Sequence, residues 1–79
     1  MNGGIMNAMQ ALKTVAKNEG IPLAHIGRKM GLADNYVNKT INRNSVPRVD
    51  TMAKMLDVCG YALCAIPKES IPDDAIVID

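Results

Sequence analysis

Apolar positions recur at helical spacing through the first sixty residues of this 79-residue chain, and then the spacing is lost. From Asn7 to Asn18, Met9, Leu12, Val15 and Ala16 line one side of a helix, while Gln10, Lys13, Thr14 and Lys17 line the other. Asn18-Glu19-Gly20 ends it, with glycine at the expected C-terminal position. Pro22 can open a second helix, because its missing N–H would be unpaired there anyway. Ile26 and Met30, four apart, give that helix one apolar side. Gly31 follows where a left-handed residue is wanted, and Leu32 is expected to plug the corner. Gly27 is expected to let the next helix cross closely. Val37 and Ile41 then set a third helix, Asp34 to Asn42. A polar loop closed by Pro47 leads to a fourth, Arg48 to Cys59, with Asp50 suiting its positive start. Its core side is expected to be Val49, Met52, Ala53, Leu56 and Cys59, and Gly60 ends it.

From Tyr61 to Ile66 every position is apolar. Pro67 to Asp74 then holds two prolines and four charges, and Ala75-Ile76-Val77-Ile78 follows. Short apolar runs bounded by proline and charge read as strands covered on both faces, and these two can pair as a hairpin. An isolated two-stranded ribbon is barely stable in water, and its edges invite another copy. Joining the strands between two subunits meets both difficulties. The competing reading is a short fifth helix at 61–66 followed by a disordered acidic tail. Residues 1–6 hold Gly3 and Gly4 and no basic side chain, and read as a frayed, flexible end. The expected organisation is therefore that flexible end at 1–6, a helical domain at 7–60 and a dimerisation segment at 61–79. The fold class is mainly α, with four to five helices and a short C-terminal strand or hairpin.

Composition sharpens this. With no Trp or Phe and only Tyr36 and Tyr61 aromatic, the core must come from Ile, Leu, Val, Ala and six Met. A domain this small is only marginally stabilised by its own core, which favours a homodimer. No apolar run approaches the roughly twenty residues that span a bilayer, so no membrane is expected. The start, MNGGIMNAM, lacks the features of a signal peptide, and the expected location is the cytoplasm. Cys59 and Cys64 have no metal-binding spacing and read as buried, inert thiols. His25, the single histidine, reads as a solvated polar residue. One histidine, Ser45 and Ser70 as the only serines, and no glycine-rich phosphate loop leave no basis for an enzyme. Asp73-Asp74 reads as a solvated turn. Neither a cofactor nor a metal is expected.

Net charge is only +1, but it is unevenly placed. Residues 1–56 hold eight Lys/Arg against three Asp/Glu, and residues 57–79 hold one against five, so the two parts carry +5 and −4. A basic body with an acidic end suits DNA on one side and protein on the other, although an ordinary solvated surface has similar charge. The third helix is the informative element. Asn35, Asn38, Asn42 and Thr40 give it poor intrinsic propensity, with no Ala or Leu to compensate. Either it is an asparagine-rich loop, or a scaffold imposes the helix while its outer face stays polar for contacts. Asn35, Asn38, Lys39 and Asn42 recur at helical spacing away from Val37 and Ile41, which favours the second. Asparagine can bond an adenine edge with two hydrogen bonds, and lysine can reach guanine or phosphate.

Gly27, Met30, Gly31 and Leu32 follow the grammar of a helix-turn-helix. Ile41-Asn42, Pro47 with Thr51, and Leu56 to Gly60 complete an ordered set. Over about residues 8–60 the chain resembles the lambda-repressor-like (XRE or Cro-like) DNA-binding domains. The resemblance implies a third helix in the major groove of double-stranded DNA, its first residues at the base edges. Carried over by position, it places Asp34, Asn35 and Tyr36 at base edges, Asn38 and Lys39 beside them, and Asn42, Arg43 and Arg48 on phosphate. Asp34 can accept from a cytosine amino group. The family's usual glycine after the terminal Asn is here Arg43, so either Arg43 is strained or Asn44 takes the turn. The function implied is a homodimeric transcriptional regulator, a repressor of bacterial or phage type. The alternative is the antitoxin of a toxin–antitoxin pair, autoregulatory and bound to a toxin protein. A third reading is a protein-interaction scaffold, for which an exposed Leu23 would speak.

Overall fold

Four helices account for about half of the chain described by the computed structural model, which covers residues 4–78. They are α1 (Ala8–Glu19), α2 (Leu23–Lys29), α3 (Tyr36–Asn42) and α4 (Val49–Val58), preceded by a strand β1 (Gly4–Met6) and followed by β2 (Ile76–Ile78). Asn7 is the cap of α1 rather than its first residue. Its side-chain oxygen accepts from the Gln10 N–H at 2.9 Å, and its own N–H donates to Gln10 Oε1 at 3.1 Å. An Asn with Gln three residues later is a capping-box signal that the apolar period alone does not report.

The core is apolar throughout. Met9, Ala11, Leu12, Val15 and Ala16 come from α1, Ile26 from α2, Val37 from α3, and Met52, Met55, Leu56 and Cys59 from the last helix and its cap. Two expectations for α4 change. Met55 is fully buried, whereas Val49 is 75% exposed. The helical period does point Val49 to the Met52 side, but Val49 stands at the very start of α4, one turn ahead of buried Met52, where nothing among the described residues covers it, and neighbouring Val46 is exposed as well. Leu32, expected to plug the corner, stays 39% exposed. Leu23, expected to be exposed, is half-buried against the core. The support it lent to a scaffold role falls away.

Gly31 and Gly20 adopt the left-handed conformations expected of helix ends, with φ of 73° and 68°. Gly27 acts through space rather than dihedral freedom. A Cβ there would stand 2.6 Å from the carbonyl oxygen of Ala33, which real Cβ atoms do not tolerate. α3 begins at Tyr36, two residues later than the expected start at Asp34, which leaves Asp34 and Asn35 in the turn ahead of it. Beyond α3, Arg43 stays in the ordinary right-handed region at φ −84° and Asn44 turns left-handed at φ 54°. Asn tolerates that region far better than a long side chain does.

The C-terminal expectations change most. β2 falls within the second apolar run, but it pairs in parallel with β1, in register Gly4↔Ile76, Ile5↔Val77 and Met6↔Ile78. No hairpin forms. A parallel pair needs a long crossover, and here the whole helical body supplies it. Residues 4–6 are thus a paired strand rather than a frayed end; residues 1–3 lie outside the described residues. The 61–66 run is neither the expected strand nor the competing fifth helix, and only a 3₁₀ turn at Lys68–Ser70 follows it. Cys64, expected to be buried, is exposed. Among the described residues no helix is long and apolar enough to cross a membrane.

At the far end of α4 the Tyr61 hydroxyl donates to Glu19 Oε2 at 3.1 Å, tying the ends of α1 and α4 together. That bond, with lesser help from desolvation, raises the Tyr61 phenol above its ordinary range. Burial, and then the Glu19 charge, does the same for the Cys59 thiol. Both groups hold their protons longer in the folded chain, so the unfolded chain binds fewer protons and stability falls as pH rises past the ordinary thiol and phenol values, about 8.5 and about 10. Urea midpoints should therefore drop between neutral and alkaline pH, and Tyr61→Phe should remove part of the drop; an identical drop in the variant would contradict the Glu19 contact. Independently, Gly27→Ala should cost about 1–3 kcal/mol, as overpacking does, read from urea denaturation.

Candidate nucleic-acid interface

A seven-residue helix with three polar, propensity-poor residues does not hold its shape alone. Val37, fully buried, and Ile41, half-buried against the core, pin α3 to the body, where it packs on α2 and α1. The Thr40 hydroxyl donates to the Tyr36 carbonyl at 2.9 Å, so this polar side chain is absorbed locally. At about 100° per residue, pinning Val37 and Ile41 inward turns Lys39 and Asn42 outward, and Asn35 and Arg43 stand at the two ends of the helix. All four are exposed. Asn38 is exposed on one flank, and Tyr36 and Thr40 are half-buried on the other.

The residues singled out in the sequence therefore separate. Asn35, Asn38, Lys39, Asn42 and Arg43 share the open side and rim of α3. Tyr36 leaves that group: its side chain packs against the core and lines a groove facing α4. Asp34 stands at the entrance to α3 with its carboxylate 3.3 Å from Arg28 Nη1, across the turn from α2. Arg48 caps α4, with Nε 3.3 Å from Asp50 Oδ1, on the next element rather than on α3.

Both ion pairs are solvent-exposed, with more than half of each side chain open to water, and such pairs contribute under about 1 kcal/mol. Arg28 and Arg48 are thus only loosely held and can be redirected to another anion. Lys29, Lys39 and Arg43 have no carboxylate partner among the described residues. The local balance along α2, the turn and α3 is positive, with Arg28, Lys29, Lys39 and Arg43 against Asp34 alone. Among the described residues no three His, Cys, Asp or Glu side chains gather where a metal could be held.

The Arg28–Asp34 pair was not legible in the sequence, because its partners are six apart across a turn and match no helical or strand spacing. Asn44 as the turning residue was one of two alternatives there. Compared with known proteins, the chain matches no family model, no curated protein and no solved structure.

Because the outward residues carry no packing, Asn35→Ala and Lys39→Ala should each stay within about 0.5 kcal/mol of the parent in urea denaturation. Arg28→Ala should cost less than about 1 kcal/mol. A larger loss in any of them would mean that this face supports the fold.

Proposed function

We propose that the chain is a homodimeric, sequence-specific DNA-binding regulator of the lambda-repressor-like helix-turn-helix kind, acting as a repressor, with α3 laid in the major groove. The observation that supports this most is the outer side of α3: Asn35, Lys39, Asn42 and Arg43 all face away from the core and are open to solvent. A helix this poor in propensity, held by Val37, Ile41 and Tyr36, makes sense as a rod that carries contacts.

Asn35 and Asn38 read base edges, since a carboxamide matches the donor–acceptor pair of adenine. Lys39 supplies charge to phosphate or guanine. Asn42, Arg43 and, from the next element, Arg48 hold the backbone, which positions the helix without reading sequence. Asp34, at the entrance of α3, accepts from a cytosine amino group while Arg28 offsets its repulsion from phosphate. Tyr36, turned toward α4, braces the start of the helix. Two copies present their α3 helices one helical turn apart, about 34 Å. The basic body faces DNA and the acidic end is kept clear of it.

Affinity should fall steeply with salt, because phosphate contacts release counterions. In a gel-shift series at two salt concentrations, Lys39→Ala should weaken binding to every sequence and lower the salt slope by about one. Asn35→Ala should relax choice at one base pair, at about 1–3 kcal/mol. A bound-DNA selection at low salt that enriches no motif would overturn the reading.

A further inference from the structure

Just after α4 the chain does something costly. Ala62 to Ile66 are consecutive apolar residues, every one of them is exposed, and none of their backbone groups makes a hydrogen bond among the described residues. Tyr61 before them and Pro67 after them are the last to do so: the Tyr61 N–H donates to Leu56 and the Pro67 carbonyl accepts from Ser70. Tyr61, Leu63 and Ile66 leave 37–42% of their surfaces in water. The whole run from Val58 to Pro67 is free of charge. Such a segment is a ready template for strand pairing.

Beside the same end of α4 lies an open groove between α2, α3 and α4. Met30, Tyr36 and Val58 give it an apolar floor, and Lys29 and Lys54 flank it together with Asp57.

We infer that residues 61–66 pair antiparallel with the same residues of a second copy, and that the acidic stretch 67–74 of each copy lies along the Lys29–Lys54 groove of the other. Two features point to a second copy rather than to a foreign strand. Antiparallel self-pairing about a twofold axis sets Tyr61 against Ile66, Ala62 against Ala65 and Leu63 against Cys64, so every facing pair is apolar and no like charges meet. The direction of the pair also settles where the flanking chain goes. Beyond Ile66 one copy returns past Gly60 of the other and so along the C-terminal half of its α4, where Lys54 and Val58 line the groove. Residues 67–74 carry Lys68 against Glu69, Asp73 and Asp74, a net −2, opposite a groove whose lining carries a net +1. The pairing satisfies the free backbone groups, covers Tyr61, Leu63 and Ile66, and joins opposite charges.

This supplies the contact for the two-copy arrangement of the proposed function, and it is measured without DNA, so that either can fail alone. Sedimentation equilibrium on the full chain should show a monomer–dimer equilibrium. Leu63→Glu, which sets carboxylates near one another across the axis, and Ala62→Pro, which removes a ladder donor, should each raise the dimer Kd by about tenfold or more. Both should keep the helical circular dichroism of the monomer, because no backbone group of 62–66 is hydrogen-bonded within one copy and the Tyr61–Glu19 contact is left untouched. Lys29→Glu with Lys54→Glu should weaken the dimer, and adding Glu69→Lys with Asp73→Lys should restore it. A chain that stays monomeric at several hundred micromolar (on the order of a weak-affinity ceiling) overturns the inference, as does a dimer indifferent to Leu63→Glu and Ala62→Pro. Higher oligomers overturn it too, and a charge swap without recovery removes the groove contact. A dimer that selects no DNA motif would sink the proposed function and leave the pairing intact; a monomer that selects one would sink the pairing and the two-copy arrangement and leave the reading of DNA by α3 intact.

Discussion

At Gly27 the absence of a side chain decides where α3 can go. The Ala33 carbonyl oxygen occupies the space a Cβ would need, at 2.6 Å, so the turn after α2 folds back directly onto that helix. With the turn seated there, Val37 reaches the core and becomes one of its four largest fully buried side chains, alongside Leu12, Ile26 and Met55. One residue from each helix thus meets at the centre. Burying a side chain of this size contributes about 1.5–3 kcal/mol, which outweighs the few tenths by which Asn and Thr disfavour each helical position. Tertiary packing, not local preference, makes α3 a helix.

The same balance explains the division of labour on that helix. Val37 and Ile41, with Tyr36 packed beside them, hold seven residues in place, and the remaining side is left without structural duty. Nothing in the packing needs Asn35, Lys39, Asn42 or Arg43 to be what they are, and none of them is buried. The exposed Arg28–Asp34 pair, worth little in stability, sits where α2 hands over to α3 and sets the charge at the entrance to that face. A surface free of packing constraints is where contact chemistry can be chosen, and it is the surface to which the proposed DNA contacts belong.

The chain ends obey a different logic. Three residues of β1 against three of β2 make a ribbon too short to stand alone, but Met6 and Ile76 pack on the core and β2 lies against α1. The ribbon is stabilised by what it rests on. Within the uncharged run after α4, residues 62–66 have no backbone hydrogen bonds within one copy, and their exposed apolar surface and free amides are what the inferred self-pairing removes.

The sequence by itself determined the four helices, their order, the glycines that end or crowd them, and most of the core. Each of those depends on periodicity or on local backbone chemistry, which a linear string records. It also determined which side of α3 is polar, since Val37 and Ile41 orient the rest at helical spacing. Only the tertiary structure decided that Val49 has nothing to pack against and that Met55 does. It alone showed that Cys64 is open to water, that Tyr36 turns toward α4, and that the second apolar run pairs with the N-terminal strand rather than with the first. All of these are questions of which distant segment arrives at a given spot. A period of 3.6 or 2 residues says which way a side chain points, and says nothing about what stands there to meet it.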